Sequence, residues 1–374
     1  MNNTILNWDE DNHREIYARQ LKETPLYYDP GLKLWAACSY AHCKALLLSP
    51  HAYVPQPVID DSSQLAAKAK LLLRNMARLG NNRQHIASRN AAMMIYKKIS
   101  SVAADRMLET LLMDADTKTG FDWVEVVAKQ LPARLIAKGL GFNDEDSAYL
   151  TANLSTLVRI MSPDNADGDV KITNTVVNEC YNIARRYVTL NKLSSEKETT
   201  ALIACNLTGL FIQCYDAGWG LLCNTLLALA ADNCKNKFIK NDSVYCNRLV
   251  NETLRWDPPV HNTRRVAIND INLGDKTIRA GETILIVLAA ANLDGQAFEN
   301  PGDFDMLRPN NEQHLTFGLG GHNCIARYFN TGMAADVCRF LINNYQNITV
   351  LQNEFRYGPK LNVRLIKQLM ISIS

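Results

Sequence analysis

Between Thr199 and Asp232 the chain runs LIACNLTGLFIQCYDAGWGLLCNTLLALAA, a helix-length stretch that is apolar nearly all round. A helix of that kind must be enclosed by protein on every side. The chain has the mass to enclose it: 374 residues, 47% hydrophobic and 21% charged, is a globular composition. That length fits two or three average domains, or one large one. A bilayer is not the enclosing medium, because the longest purely apolar run, Ile284 to Ala291, falls far short of the roughly 20 residues a span requires.

Around this stretch the pattern is mostly helical in the first half. Helix-forming residues fill Ser63 to Leu79. Asn82 to Met107 continues them, with Ile86, Met93, Met94 and Ile99 at helical intervals. Phe121 to Leu140 predicts a further helix disturbed by Pro132, and Val170 to Asn191 another. Pro55 and Pro57 mark a loop. After Arg255 the character changes. Arg264–Ala267, Ile271–Leu273 and Thr283–Leu288 read as short strands cut by turns. A glycine-rich segment follows, then a last helix from Cys324 to about Asn344 and a tail of short strands from Ile348. The expected class is mainly α with a small β region, not a βαβ series.

Charge and cysteine content narrow the partners. Forty Lys+Arg against 38 Asp+Glu leaves +2, too little for a broad nucleic-acid-binding field. The N-terminal MNNTILNWDEDN has no basic start followed by an apolar run, so a cytoplasmic location is expected. Ten cysteines without a C-x-x-C pair are then expected as reduced thiols, mostly buried. There is no G-x-S-x-G, no H-E-x-x-H and no phosphate loop, and the glycine segment lacks the third glycine of a dinucleotide loop.

That glycine segment, Phe317-Gly318-Leu319-Gly320-Gly321-His322-Asn323-Cys324-Ile325-Ala326, carries the most chemistry. A cysteine at a helix start, behind a turn whose N–H groups can point inward, is held as a thiolate by the helix dipole and N–H···S bonds. Such a thiolate can ligate haem iron. The window alone leaves open a buried structural cysteine.

The segment resembles the haem-binding signature F-G-x-G-x-H-x-C-x-G of the cytochrome P-450 family, with Ala326 in the place of the final glycine. Other family segments follow in order. Glu252-Thr253-Leu254-Arg255 resembles E-x-x-R, and Phe304 to Pro309 resembles F-D-x-x-R-P. Pro258-Pro259-Val260-His261 to Ala267 resembles P-P-V-Q-x-x-x-R-x-A, His85 to Arg89 resembles H-x-x-x-R, and Ala290 to Asp294 is close to A-A-N-R-D. Tyr27-Tyr28-Asp29 and Trp35 with Ser39-Tyr40 fit the first β-hairpin. The resemblance covers nearly the whole chain, and implies one cytochrome P-450 domain over residues 1–374. It implies haem b (iron protoporphyrin IX), with Cys324 as axial ligand and Phe317 over the thiolate. It gives His85, Arg89, Arg265 and His322 to the propionates, and Glu252, Arg255 and Arg308 to a buried structural network.

On the distal helix the family usually has A-G-x-[DE]-T, whose acid and alcohol pass protons to dioxygen. Spacing to Asn224 and to Glu252 places Gln213-Cys214-Tyr215-Asp216-Ala217 on this motif; a rival register, with Ala217-Gly218 as the A-G pair, breaks both spacings. Asp216 keeps the acid, while Ala217 replaces the alcohol and cannot donate a proton. The substrate or an ordered water then supplies the hydroxyl, or the reaction is a one-electron coupling or desaturation, or peroxide is used; tolerated alanine with ordinary hydroxylation also stays open. The usual L-A-R-x-E after the cysteine is absent, and the link between Arg186 and Thr199 is short, which suits a large or carrier-tethered substrate as well as simple loop trimming. The resemblance thus implies a monomeric haem-thiolate monooxygenase or oxidase of a small organic substrate, tailoring a specialised metabolite. A ferredoxin or flavodoxin would supply electrons near Arg327 and Arg83. A non-catalytic recruitment module of a biosynthetic assembly line and a peroxide-driven enzyme are the alternatives.

Overall fold

The computed structural model describes residues 5–6, 12–57, 59, 64–161, 170–231, 243–358 and 362–374. Helix α1 (His13–Glu23) leads into strands β1 (Leu26–Asp29) and β2 (Leu34–Ala37), then α2 (Tyr40–Leu48) and β3 (Ala52–Tyr53). Next come α3 (Ala67–Asn75), α4 (Asn82–Tyr96), α5 (Ala104–Leu112), β4 (Phe121–Asp122), α6 (Leu131–Leu140), α7 (Asp144–Ala152), α8 (Leu154–Leu157), α9 (Val170–Leu190) and α10 (Lys197–Ala230). The last third holds α11 (Ser243–Trp256), β5 (Thr263–Ala267), β6 (Ile271–Leu273), β7 (Lys276–Ile278), β8 (Thr283–Ile286), α12 (Leu288–Ala291), α13 (Arg327–Asn344), β9 (Ile348–Val350) and β10 (Met370–Ile373). The expected mainly α class with a small β region is what forms, and no helix among the described residues is long and apolar enough to cross a membrane.

Contacts divide the chain into two compact units. One takes residues Met1–Tyr53, Ala104–Lys129 and Asp216–Ser374. Its larger sheet has the order β1-β2-β8-β5-β3, with β2 and β8 parallel (Trp35 opposite Ile284) and the other pairs antiparallel. Ile284 and Ile286 send their side chains into one core cluster with Leu26, Leu46, Ile278 and Leu315; Leu285 and Val287 enter a second with Tyr17 and Leu34. The period-2 alternation of β8 serves two cores, which is why the run is apolar throughout. A second sheet, β4-β10-β9, is antiparallel. The other unit takes Val54–Ala103 and Gln130–Tyr215, and its described elements are all helical.

Three predicted helices differ in extent. The run from Asn82 is two helices, because Ser100 leaves the helical path and donates through N and Oγ to the Gly139 carbonyl at 2.9 and 2.8 Å. In Phe121–Leu140 the first two residues are drawn into strand pairing with β10, Val124–Ala128 form a π-helical turn, and Pro132 sits in the first turn of α6, where its missing N–H costs nothing. The run from Ser63 forms α3 plus a 3₁₀ turn at Ala77–Leu79, with Ser63 itself outside the described residues. Cys234, the end of the apolar stretch at Asp232 and its neighbours also lie outside them. The nine other cysteines are in no disulfide, and eight of them are buried.

Candidate functional site

Cys324 is the one described cysteine that is not fully buried. Its loop is folded back by two bonds: Gly318 N–H donates to the Leu315 carbonyl and Cys324 N–H to the Phe317 carbonyl, each at 2.8 Å. The turn needs its glycines. Gly318 and Gly320 have φ of +65° and +68°, and a Cβ at Gly320 would stand 3.1 Å from the Leu47 carbonyl oxygen. Gly320 to His322 form a 3₁₀ turn with His322 half-buried. Helix α13 begins at Arg327 with Ala326 as its N-cap, so Cys324 lies before the helix and outside the first turn, where the dipole acts most strongly. Ala326 has φ −92°, a value any residue adopts, and the departure from glycine there carries no backbone strain.

Behind the loop, α11 holds Glu252 and Arg255 at i, i+3, both with no exposure. Arg255 grips Glu252 through two bonds, Nη2 to Oε1 at 2.6 Å and Nε to Oε2 at 2.9 Å. Arg308 Nε reaches the same Oε1 at 3.3 Å, and Asp305 N–H adds a bond at 3.0 Å. The remaining guanidinium donors meet backbone carbonyls. Arg255 reaches Asn292, Pro301 and Asp303, and Arg308 reaches Glu299, Asn300 and Asp303. The three-residue network expected from the motifs is therefore assembled, and it ties α11 to the chain leading into the cysteine loop.

The other expected site residues fall as follows. Arg265, on β5, is 5% exposed and its Nη1 donates to Thr263 Oγ1 at 3.0 Å and to its neighbour's carbonyl at 2.8 Å. Asp216 and Ala217 are half-buried in the middle of α10, which is helical throughout. In the other unit, His85 is buried on α4 and its Nδ1 donates to the Ala77 carbonyl at 2.8 Å, fixing the ring; Arg89 is half-buried one turn later.

Two features were not singled out in the sequence. One is a junction of Leu254, Asn292 and Thr316 beside the cysteine loop. The other is a buried cluster of His13, Tyr17, Asp257 and His261. Its ligand-type atoms on His13, Asp257 and His261 lie within 4.8 Å of one another. Asp257 already faces Arg364 Nη1 at 3.3 Å and Arg14 Nη2 at 3.8 Å, while Tyr17 Oη bonds His261 Nδ1 at 2.8 Å. Two guanidinium charges on the only carboxylate oppose a cation, so the cluster is a structural lock. Burial, first, and then Arg364 lower the His13 pKa to about 3, and burial drives His261 well below 6.5.

A family model described as Cytochrome P450 matches residues 241–349. The chain is 29% identical over 182 residues to "Biotin biosynthesis cytochrome P450" of Bacillus subtilis (strain 168), covering 49% of this chain and 45% of that relative. It is 25% identical to "Cytochrome P450 109" of Bacillus spizizenii, covering 83% and 78% respectively. In structure it is similar to P450BioI, solved in complex with hexadec-9Z-enoic acid ligated acyl carrier protein, with a TM-score of 0.83 and 21% identity over 97% of this chain and 98% of that one.

Proposed function

Because this chain belongs to the cytochrome P450 family, we propose that it is a haem-thiolate monooxygenase or oxidase acting on a small organic substrate. The observation that carries the reading is the Cys324 loop: a cysteine outside any disulfide and only partly buried, framed by glycine turns at positive φ that side chains adopt only with strain. Haem b held there supplies oxygen activation at its iron, with the electron donation of a thiolate ligand. Cys324 holds the iron, Phe317 shields the sulfur, and Arg265 and His322 meet the propionates as charge-assisted donors. For these two, as for His85 and Arg89, that role rests on the family resemblance. Glu252, Arg255 and Arg308 fix the backbone that carries the ligand. Asp216 guides protons, and Ala217, having no hydroxyl, leaves the last proton donor to the substrate or an ordered water.

The substrate class we favour is an acyl chain delivered on a carrier protein, in keeping with the carrier complex of P450BioI and the short link between α9 and α10. Electrons come from a reduced ferredoxin or flavodoxin. The protein is read as a cytoplasmic monomer with the chain as a single P450 domain.

The test is spectroscopic. The reduced carbon monoxide complex should show the thiolate band from which the family takes its name, and Cys324→Ser should remove it. A band unchanged by that substitution overturns the ligand assignment. Hexadecanoyl acyl carrier protein should perturb the oxidised haem spectrum at lower concentration than free hexadecanoate; the reverse order defeats the carrier reading.

A further inference from the structure

Helix α11 ends in a defect written into its sequence. The carbonyl of Leu254 would accept the N–H of residue 258, but that residue is Pro258, which has none. The helix still closes one residue earlier, Asp257 N–H to Thr253 O at 2.9 Å, so the Leu254 carbonyl is left as a buried acceptor at the end of the helix that holds Glu252 and Arg255. Two donors meet it: the Oγ1 of Thr316, two residues before Gly318, at 2.7 Å, and the Nδ2 of Asn292 at a longer 3.4 Å. Asn292, with no exposure, completes the junction. Its Oδ1 accepts from Leu315 N–H at 2.7 Å, its Nδ2 donates to Thr316 Oγ1 at 2.9 Å, and its own carbonyl takes Arg255 Nη1 at 3.0 Å.

The bonding directions are fixed by this arrangement. Leu315 can only donate, so the Asn292 oxygen faces it and the amide NH₂ faces Thr316. The Thr316 hydroxyl accepts from Asn292 and therefore spends its single proton on Leu254. His314 Nδ1 accepts from Thr316 N–H at 3.3 Å, and burial, first, lowers the His314 pKa to about 3, so its ring stays a neutral acceptor. Leu315 and Thr316 are thus pinned to Asn292 and Leu254, and His314 braces Thr316 from within the segment. The next two links run directly to the ligand: Gly318 N–H to Leu315 O, and Cys324 N–H to Phe317 O.

We propose that Thr316 and Asn292 are positioning residues for Cys324, using the carbonyl that Pro258 leaves open as the anchor that fixes the height of the thiolate loop. This rests on the haem-thiolate reading above. Without the hydroxyl the loop keeps its glycine turns but loses its shortest tie to α11, leaving only the longer bond through Asn292, and the thiolate leaves the iron more readily than the fold unfolds.

Thr316→Val keeps the shape and removes the proton; Thr316→Ser keeps both donor and acceptor. In urea titrations of the haem-loaded protein, the carbon monoxide band of the thiolate form is followed beside the helical circular dichroism. Thr316→Val should lose the thiolate band before the helix signal, with the ratio of thiolate-ligated to unligated haem lowered about fivefold at a fixed sub-denaturing urea concentration. Thr316→Ser should behave as the parent. Leu108→Ala, a core truncation in α5, should lower both signals together. Coincident loss in Thr316→Val, as in Leu108→Ala, overturns the proposal, as does failure of serine to restore the parental order. Absence of any thiolate band in the parent protein marks failure of the haem-thiolate reading instead.

Discussion

In the register proposed above, Ala217 offers a methyl where cytochromes P450 usually place an alcohol. If the native reaction draws its proton from a substrate hydroxyl or an ordered water in that space, Ala217→Thr displaces the donor. Product formed per electron consumed should then fall about tenfold or more, within the value of a positioned proton transfer. Improved coupling in Ala217→Thr would show that ordinary hydroxylation tolerates the alanine. Glu252 and Arg255 act on stability rather than on protons. Removing either leaves the other charged and fully buried, a loss of about 3–5 kcal/mol, so Glu252→Ala and Arg255→Ala should yield little soluble haem protein. Wild-type yield and haem content would refute that role. These residues were legible in the sequence because each sits in a motif with fixed spacing. Thr316 was not, and Asn292 only as a member of its A-A-N segment without a role, since their significance depends on a donor that Pro258 lacks and on three segments meeting in space. Nor was the His13–Asp257–His261 lock, whose members are 244 or more positions apart except for the last two.

Among the elements, the long apolar helix was readable almost to the residue, because burial on all sides leaves a pattern that no loop shares. Helix ends were less so. Ser100 acts through bonds to Gly139, 39 positions away, and Pro132 through a missing donor, while Phe121–Asp122 become a strand only because β10 is there to pair with them. The cysteine loop shows how an element can be tested apart from its ligand. Gly320→Ala forces a side chain into a left-handed backbone and against the Leu47 carbonyl, at a cost of about 1–2 kcal/mol or more, and should lower both the unfolding midpoint and the haem content. Ala326→Gly restores the family residue at a position of ordinary φ and should leave haem content unchanged. A large gain from Ala326→Gly, or none of the loss from Gly320→Ala, would contradict the loop's geometry.

At the scale of the whole molecule, three buried histidines set its response to acid. His13 and His314 titrate at about 3 in the folded chain against 6.5 when unfolded, and His261 is shifted the same way. The unfolded chain therefore binds more protons between those values. The histidine contribution to stability is steady above pH 6.5 and declines from there towards pH 3, by roughly 1.4 kcal/mol per pH unit for each histidine. Urea midpoints should drop between about pH 7.5 and about pH 5.5, and the drop should shrink in His13→Asn; equal midpoints at both values would refute it. The Tyr17–His261 bond, spanning 244 positions, also has a consequence in time. At about 5–20 residues per second, a ribosome makes Tyr17 on the order of ten to fifty seconds before its partner. Strand β2 waits equally long for β8. The segments of the helical unit, Val54–Ala103 and Gln130–Tyr215, have all emerged by then, so the first residues synthesised are among the last to find their places. During that interval the nascent amino terminus exposes Tyr17, Leu34 and Ala36 to the crowded exit of the ribosome, where holdase chaperones bind apolar chain.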